Sequence, residues 1–393
     1  MKRFKHVIVG AGMAAASAAA GIREAGDRGA LAMFGDEHHA PYDRPPLSKA
    51  LWKGGSLESI WRKTAGLDID LHPGNGIVAI NAAAKTVTDR AGTEYGYDKL
   101  LLATGGAPRR LPFDAASGVI YFRTLDDYER LHQLAREAAH VAVIGGGFIG
   151  SEIAAALAMN GVKVSMLFPE QALGSRIYPA GLSTFLGNYY RDKGVTMLAG
   201  EGVEALEPAG AKTILKTRSG RAVSVDAVVA GLGVQPRVEL AQAAGLKVEN
   251  GIRVDRLLRT SNPDIYAAGD VANFLSAALE VRMRVEHEDN ANTMGKTAGG
   301  NMTGDSTPYD HQPFFYSDLF ELGYEAVGEL DASLEMVEDW KERFKKGVIY
   351  YLRDGRVRGV LLWNTWNQVP VARELIFARQ QFSSAELIGR ISD

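Results

Sequence analysis

The 393-residue chain contains no cysteine. That excludes disulfide bonds, thiolate catalysis, iron–sulfur ligation and zinc–thiolate sites together. It also excludes relaying electrons through a redox-active cysteine pair, so any electrons handled here must pass directly from a bound group to an acceptor. Long apolar runs are missing as well: no stretch approaches the roughly 20 residues that span a bilayer. Neither sign of charge dominates, with 44 Lys and Arg against 47 Asp and Glu and a pI near 6.3. The chain therefore has no basic field to hold nucleic acid or an anionic membrane surface. The run Glu286-His287-Glu288-Asp289 has a metal-like composition, but no second cluster completes it, and no metal is expected. Met1 to His6 lead straight into a strand with no room for a signal segment, which predicts a soluble, cytoplasmic protein. Hydrophobic residues at 46% and charged residues at 23% are ordinary for a globular chain, and the length allows two or three domains.

What the chain does have is two glycine fingerprints about a domain's length apart. The first is Val7-Ile8-Val9-Gly10-Ala11-Gly12-Met13-Ala14-Ala15; the second runs from Val141 through Gly145-Gly146-Gly147-Phe148-Ile149-Gly150. Each follows a β-branched run and opens an alanine-rich helical stretch. The first two glycines permit a tight turn and close approach of a pyrophosphate, and the third small residue (Ala15 or Gly150) lets helix pack on strand. The helix N-terminus then faces the negative charge. Two such turns imply two bound dinucleotides, read as a flavin and a nicotinamide brought together for hydride transfer. Asp36, just past the second strand at Ala30 to Phe34, is placed to accept ribose hydroxyls of FAD, and Arg44 suits a pyrophosphate. Glu170, past the strand at Val162 to Phe168, suits the adenosine ribose of NADH and would repel a 2′-phosphate. Arg176 nearby could stack on adenine or accept that phosphate, so NADPH stays open.

Further along, Leu100 to Gly106 reads as a buried strand closing in a glycine turn, Ala227 to Gly233 as another, and Ile265 to Val271 as a strand ending in an acidic turn. A helix is predicted from about Asp289 to Met302. Beyond Pro308 the pattern turns antiparallel, with Val348 to Leu352 and Val357 to Trp363 joined by Asp354-Gly355, a pair suited to a type I′ turn. Trp363 and Trp366 read as core of that sheet. The two glycine units are the only internal repeat.

Tyr42-Asp43-Arg44-Pro45-Pro46-Leu47-Ser48-Lys49, Ala103-Thr104-Gly105-Gly106, Gly145 to Glu152 and Ala267-Ala268-Gly269-Asp270 together resemble the FAD-dependent ferredoxin-reductase-like oxidoreductases. Val285-Glu286-His287, Gly300 to Gly304 with Pro308-Tyr309, and Lys346 to Asp354 are closer to the apoptosis-inducing factor branch, in a form that lacks its long regulatory insertion between Gly328 and Lys346. The resemblance spans the chain in order. It implies an α/β fold with two Rossmann-like dinucleotide-binding domains and a C-terminal α+β domain on an antiparallel sheet. The expected boundaries are 1–112 and 246–306 for FAD, 113–245 for NADH and 307–393 for the C-terminal domain.

The resemblance also implies roles. Thr104, Gly105 and Gly269 line FAD and Asp270 binds its ribityl chain, while Lys49 lies near flavin N5, paired with Glu152. His287 contacts the ring, Glu286 the nicotinamide, and Tyr316 stands beside the flavin where the family usually carries tryptophan. Phe148 is a movable shield over the ring, and Gly145, Gly147, Ile149, Gly150 and Gly233 belong to the NADH site. The expected activity is hydride transfer from NADH to FAD and onward to a quinone, oxygen, an artificial dye or an iron–sulfur protein. The alternative is a redox sensor acting through a long-lived reduced FAD–NAD complex. Oligomeric state stays open between monomer and dimer.

Overall fold

The computed structural model describes residues 1–113, 118–137 and 139–391. It divides into two compact units, one of Met1–Arg44, Ser56–Ala107 and Gln235–Phe314, the other of Pro45–Gly55, Pro108–Val234 and Phe315–Asp393.

In the first unit a parallel core sheet runs Ile69–His72, Leu31–Phe34, Lys2–Val9, Glu94–Leu102, with Ile265–Ala267 on the far side of Leu100–Leu102. Its central strands read as unbroken apolar runs because both faces are covered; Val7, Ile8, Leu100, Leu101 and Leu102 are fully buried. The start of the long Glu94–Leu102 strand pairs antiparallel with Thr86–Asp89, which continues to Ile77–Asn81. Two helices, Met13–Glu24 and Glu288–Thr303, lie backbone to backbone. A Cβ on Gly295 would stand 2.3 Å from the Ala14 carbonyl oxygen, and one on Gly299 2.1 Å from that of Ala18. The alanine-rich first helix is thus explained by the small residues that face it.

The second unit holds a five-stranded parallel sheet ordered Val195–Ala199, Lys163–Phe168, His140–Ile144, Ala227–Ala230, Ile120–Tyr121, with the helix Phe148–Met159 after its glycine turn. A three-stranded antiparallel sheet (Val203–Ala209, Lys212–Thr217, Ala222–Val225) and a five-stranded antiparallel sheet complete it. The latter is ordered Phe314–Leu319, Leu322–Gly328, Arg356–Trp363, Lys346–Arg353, Glu335–Glu342. Between Lys346–Arg353 and Arg356–Trp363, Asp354 and Gly355 both have positive φ, 52° and 72°, as a type I′ turn requires.

One expectation is corrected. Trp363 is fully buried and stacks on Tyr324, but Trp366 is 44% exposed. The strand ends at Trp363, and the chain then turns through Asn364 and Asn367, both with positive φ. Gly359 to Trp363 are buried on both faces of the strand, that cover stops where the strand does, and the Trp366 ring lies over Gly323 instead.

Candidate active site

The two glycine turns are geometric duplicates. Gly10 has φ 115° and a Cβ there would fall 2.2 Å from the Ala103 carbonyl oxygen; Gly145 has φ 117° and its Cβ would fall 2.3 Å from that of Gly231. Only glycine fits either position. Gly12 and Gly147, which precede the two helices, face open space, with no atom within 4 Å of a Cβ. Neither helix receives a side-chain cap. Free N-terminal amides beside an unfilled glycine surface fit a dinucleotide pyrophosphate at each turn. Behind them, Ala15 is fully buried and a Cβ on Gly150 would strike the Gly145 carbonyl at 2.0 Å.

In the first unit Asp36 lies past the Leu31–Phe34 strand and is half exposed, accepting from Arg237 Nη1 at 2.7 Å and Arg90 Nη2 at 3.1 Å. Arg44 binds Glu37 Oε1 at 2.5 Å, and Tyr42 donates to the other oxygen of that carboxylate at 2.5 Å. Burial opposes ionisation of Glu37, yet Arg44 and the two hydrogen bonds hold its carboxyl below the usual range. Thr104 Oγ1 donates to the Arg237 carbonyl at 2.8 Å; Gly105 and Gly269 have φ 64° and 78°. The Asp270 carbonyl accepts from Arg284 at 3.1 Å, and Arg284 pairs with the exposed Glu286 at 2.5 Å. His287 is the N-cap of Glu288–Thr303. Part of its surface is accessible, but the depth of the protein around it dominates: burial pushes its pKa down to about 4 against the pull of Asp270 and Asp289, so the imidazole is neutral at pH 7.

In the second unit Lys49 Nζ pairs with Glu152 Oε2 at 2.7 Å, with side chains only 11% and 2% exposed. Glu152 projects from the first turns of Phe148–Met159, and Lys49 precedes the short helix Ala50–Lys53. Ser48 Oγ donates to the same oxygen at 2.6 Å, and Ser317 Oγ to Oε1 at 2.6 Å. The ammonium also lies 5.3 Å from the centre of the Tyr316 ring. Lys49, Tyr316, Pro45, Pro46, Lys53 and Asp318 line an open cleft of about 480 Å³. Trp52 anchors this segment: its Nε1 donates to the Leu47 carbonyl, and its ring meets Tyr128 and His132 edge-on at 5.6 and 5.5 Å. Phe148 and Ile149 are each 38% exposed at the helix start, with Phe148 against Phe315 at 5.2 Å. Glu170 pairs with Arg176 at 2.6 Å, and Gly233 has φ 81°.

Of the residues singled out from sequence, Lys49, Glu152 and Tyr316 are brought together, as are Glu170 and Arg176. Glu286 is committed to Arg284 and Arg44 to Glu37. Sequence reasoning missed Ser48, Ser317, Glu37 and Arg237. Serines and surface arginines are too common for their type to signal a role, although Ser48 lies inside the Pro-Pro-Leu-Ser-Lys run and Glu37 beside Asp36. Among the described residues, no group of three or more His, Asp and Glu could hold a metal, and no helix is long and apolar enough to cross a membrane.

Two dinucleotide turns, one per unit, and a buried Lys–carboxylate pair without any thiol define a flavin- and nicotinamide-type oxidoreductase. Residues 4–295 match the family model for pyridine nucleotide-disulphide oxidoreductases, and residues 298–342 and 336–378 match that for the C-terminal region of mitochondrion-associated apoptosis-inducing factor. The chain belongs to the pyridine nucleotide-disulphide oxidoreductase family. It is 31% identical to apoptosis-inducing factor 1 of Dictyostelium discoideum, over 97% of this chain and 79% of that one. It is 32% identical to monodehydroascorbate reductase of Solanum lycopersicum, over 92% and 91%. The crystal structure of a ferredoxin reductase from Rhodopseudomonas palustris superposes with TM-score 0.90 at 32% identity, covering 98% of this chain and 96% of that one. The protein is an FAD-dependent oxidoreductase that uses NAD(H) and an electron acceptor.

Proposed function

We propose that the chain oxidises NADH and delivers the electrons singly to a ferredoxin-type iron–sulfur protein. The observation that carries this reading is the buried Lys49–Glu152 pair beside an open cleft in a chain without cysteine. FAD, held at the Gly10–Gly12 turn, would supply the redox chemistry: hydride acceptance from NADH and one-electron release to the acceptor. The protein's own residues do the rest. Gly10 and Gly12 let the backbone approach the FAD pyrophosphate, and Asp36 accepts its ribose hydroxyls once shared with Arg237 and Arg90. Gly145 and Gly147 do the same for NADH. Glu170 receives the NADH ribose and repels a 2′-phosphate, and its ion pair occupies Arg176, the one residue that argues for NADPH. Lys49 supplies a fixed cation where electron density arrives, and Glu152 holds it. Neutral His287 adds a polar but uncharged contact. Phe148, exposed and resting on the edge of Phe315, can swing to admit the nicotinamide.

The ferredoxin reductase likeness over nearly the whole chain supports the choice of acceptor. Anaerobic mixing with NADH should bleach the flavin rapidly, and catalytic amounts of an iron–sulfur protein should sustain reduction of a terminal dye. Turnover with small quinones but none through any iron–sulfur protein would overturn the acceptor class. The match of residues 298–378 to the apoptosis-inducing factor C-terminal model favours one second reading, a redox-state sensor. It predicts that NADH-reduced protein reoxidises slowly with every acceptor, oxygen included.

A further inference from the structure

We infer that Ser317 and Ser48 are positioning residues that lock the Glu152 carboxylate and, through it, the Lys49 ammonium. This rests on the proposed role of Lys49 toward the flavin. Glu152 is a carboxylate at 2% exposure, and burying such a charge is tolerated only when its lone pairs are filled. The three short bonds to it come from two segments: Ser48 and Lys49 from the run before Ala50–Lys53, and Ser317 from the strand Phe314–Leu319.

The two oxygens are held unequally. Oε2 has both the ammonium at 2.7 Å and Ser48 Oγ at 2.6 Å, whereas Ser317 Oγ at 2.6 Å is the donor to Oε1. A lysine has three rotatable donors on a flexible stem and does not by itself fix the plane of a carboxylate. A second point of attachment on the other oxygen does. Ser317 therefore sets the rotation of the carboxylate, and the carboxylate sets where the ammonium sits. The adjacent Tyr316 ring, 5.3 Å from Nζ, is carried by the same strand, so the latch and the ring beneath the cation move together. Ser48 shares its oxygen with Lys49 and has a weaker hold on the geometry.

The test is the midpoint potential of bound FAD in four variants, measured by equilibrium titration against redox dyes. Lys49→Ala should make reduction harder. Ser317→Ala should shift the equilibrium in the same direction by roughly tenfold or more, the scale expected when a hydrogen bond to a charged group is lost. Ser48→Ala should shift it less, and Ser317→Thr, which keeps the hydroxyl, should restore the native value. Should Ser317→Ala lose FAD, Ser317→Val against Ser317→Thr isolates the hydroxyl at matched volume. A native potential in Ser317→Ala or Ser317→Val with a shifted one in Lys49→Ala overturns the positioning role alone. A native potential in Lys49→Ala overturns the reading of Lys49, and this inference with it.

Discussion

Removing either member of the Lys49–Glu152 pair separates structural from functional worth. Glu152→Leu leaves an ammonium at 11% exposure without its counterion; Lys49→Met leaves a carboxylate at 2% exposure held only by two hydroxyls. Breaking a buried pair from one side costs about 3–5 kcal/mol because the surviving charge is stranded, while replacing both members by apolar groups of similar size is often neutral. Glu152→Leu should fall at the lower end, because a lysine can extend its stem toward the cleft that Lys49 lines. Lys49→Met should fall at the upper end. If the costs added, the double variant would lose about 6–10 kcal/mol, enough to unfold most domains. We expect instead that Lys49→Met/Glu152→Leu lies closer to the native protein than either single variant. Urea unfolding of the apoprotein, followed by tryptophan fluorescence, gives the cycle directly. Hydride transfer behaves differently: all three variants should reduce slowly with NADH, since the cation is lost or displaced in each. Strict additivity in stability would refute the pairing argument. A double variant that recovers both stability and reduction rate would refute the catalytic role of Lys49.

The glycine turns give a paired prediction. Gly10→Ala should destabilise the apoprotein, because φ 115° and a 2.2 Å clash with the Ala103 carbonyl cannot both be relieved, whereas Gly12→Ala should leave apoprotein stability within about 1 kcal/mol and still weaken FAD binding, read by flavin fluorescence. His287 has a folded pKa near 4 against 6.5 unfolded, so its stabilising effect is complete above pH 6.5 and is lost as pH falls toward 4; that loss reaches at most about 3 kcal/mol, and His287→Asn should flatten the stability profile in this window. Native protein should prefer NADH, and Glu170→Gln, by releasing Arg176, should narrow the gap in kcat/KM; a native preference for NADPH would reassign the selectivity to Arg176.

The elements governed by local rules were legible in the sequence. Gly10 and Gly145 are demanded by turns that only glycine can make, and Asp354-Gly355 by a hairpin of fixed geometry, so their residue types alone locate them. The Lys49–Glu152 pair was legible only through family resemblance, since 103 positions separate the two and no periodicity links them. Ser317 was not legible at all: a serine on a strand signals nothing until its hydroxyl is seen on a buried oxygen. Trp366 misled because hydrophobicity says what a side chain prefers and not where the strand stops. Arg237 illustrates the converse. It looks like a loop cation, and its proximity to Asp36, 201 positions away, follows from the pairing of Val234–Pro236 with Gly106–Pro108 just past the core strand Glu94–Leu102.

The assignment of Pro45–Gly55 to the second unit constrains how this protein can be recombined. Arg44 and Lys49 are five positions apart, yet the chain changes unit between them and returns at Ser56. A chimera joined at a single point after Ala107 would therefore take two segments from the wrong parent, Gln235–Phe314 of the first unit and the eleven residues Pro45–Gly55 of the second. The shorter segment brings Lys49, Ser48 and the Trp52 anchor, whose partners Glu152, Tyr128 and His132 would come from the other parent. Exchanges of nicotinamide preference between relatives should respect three segments, 45–55, 108–234 and 315–393, moved as one block. Heredity faces the same arithmetic: a substitution in the Pro-Pro-Leu-Ser-Lys run is answerable to residues more than a hundred positions downstream, and the two must drift together.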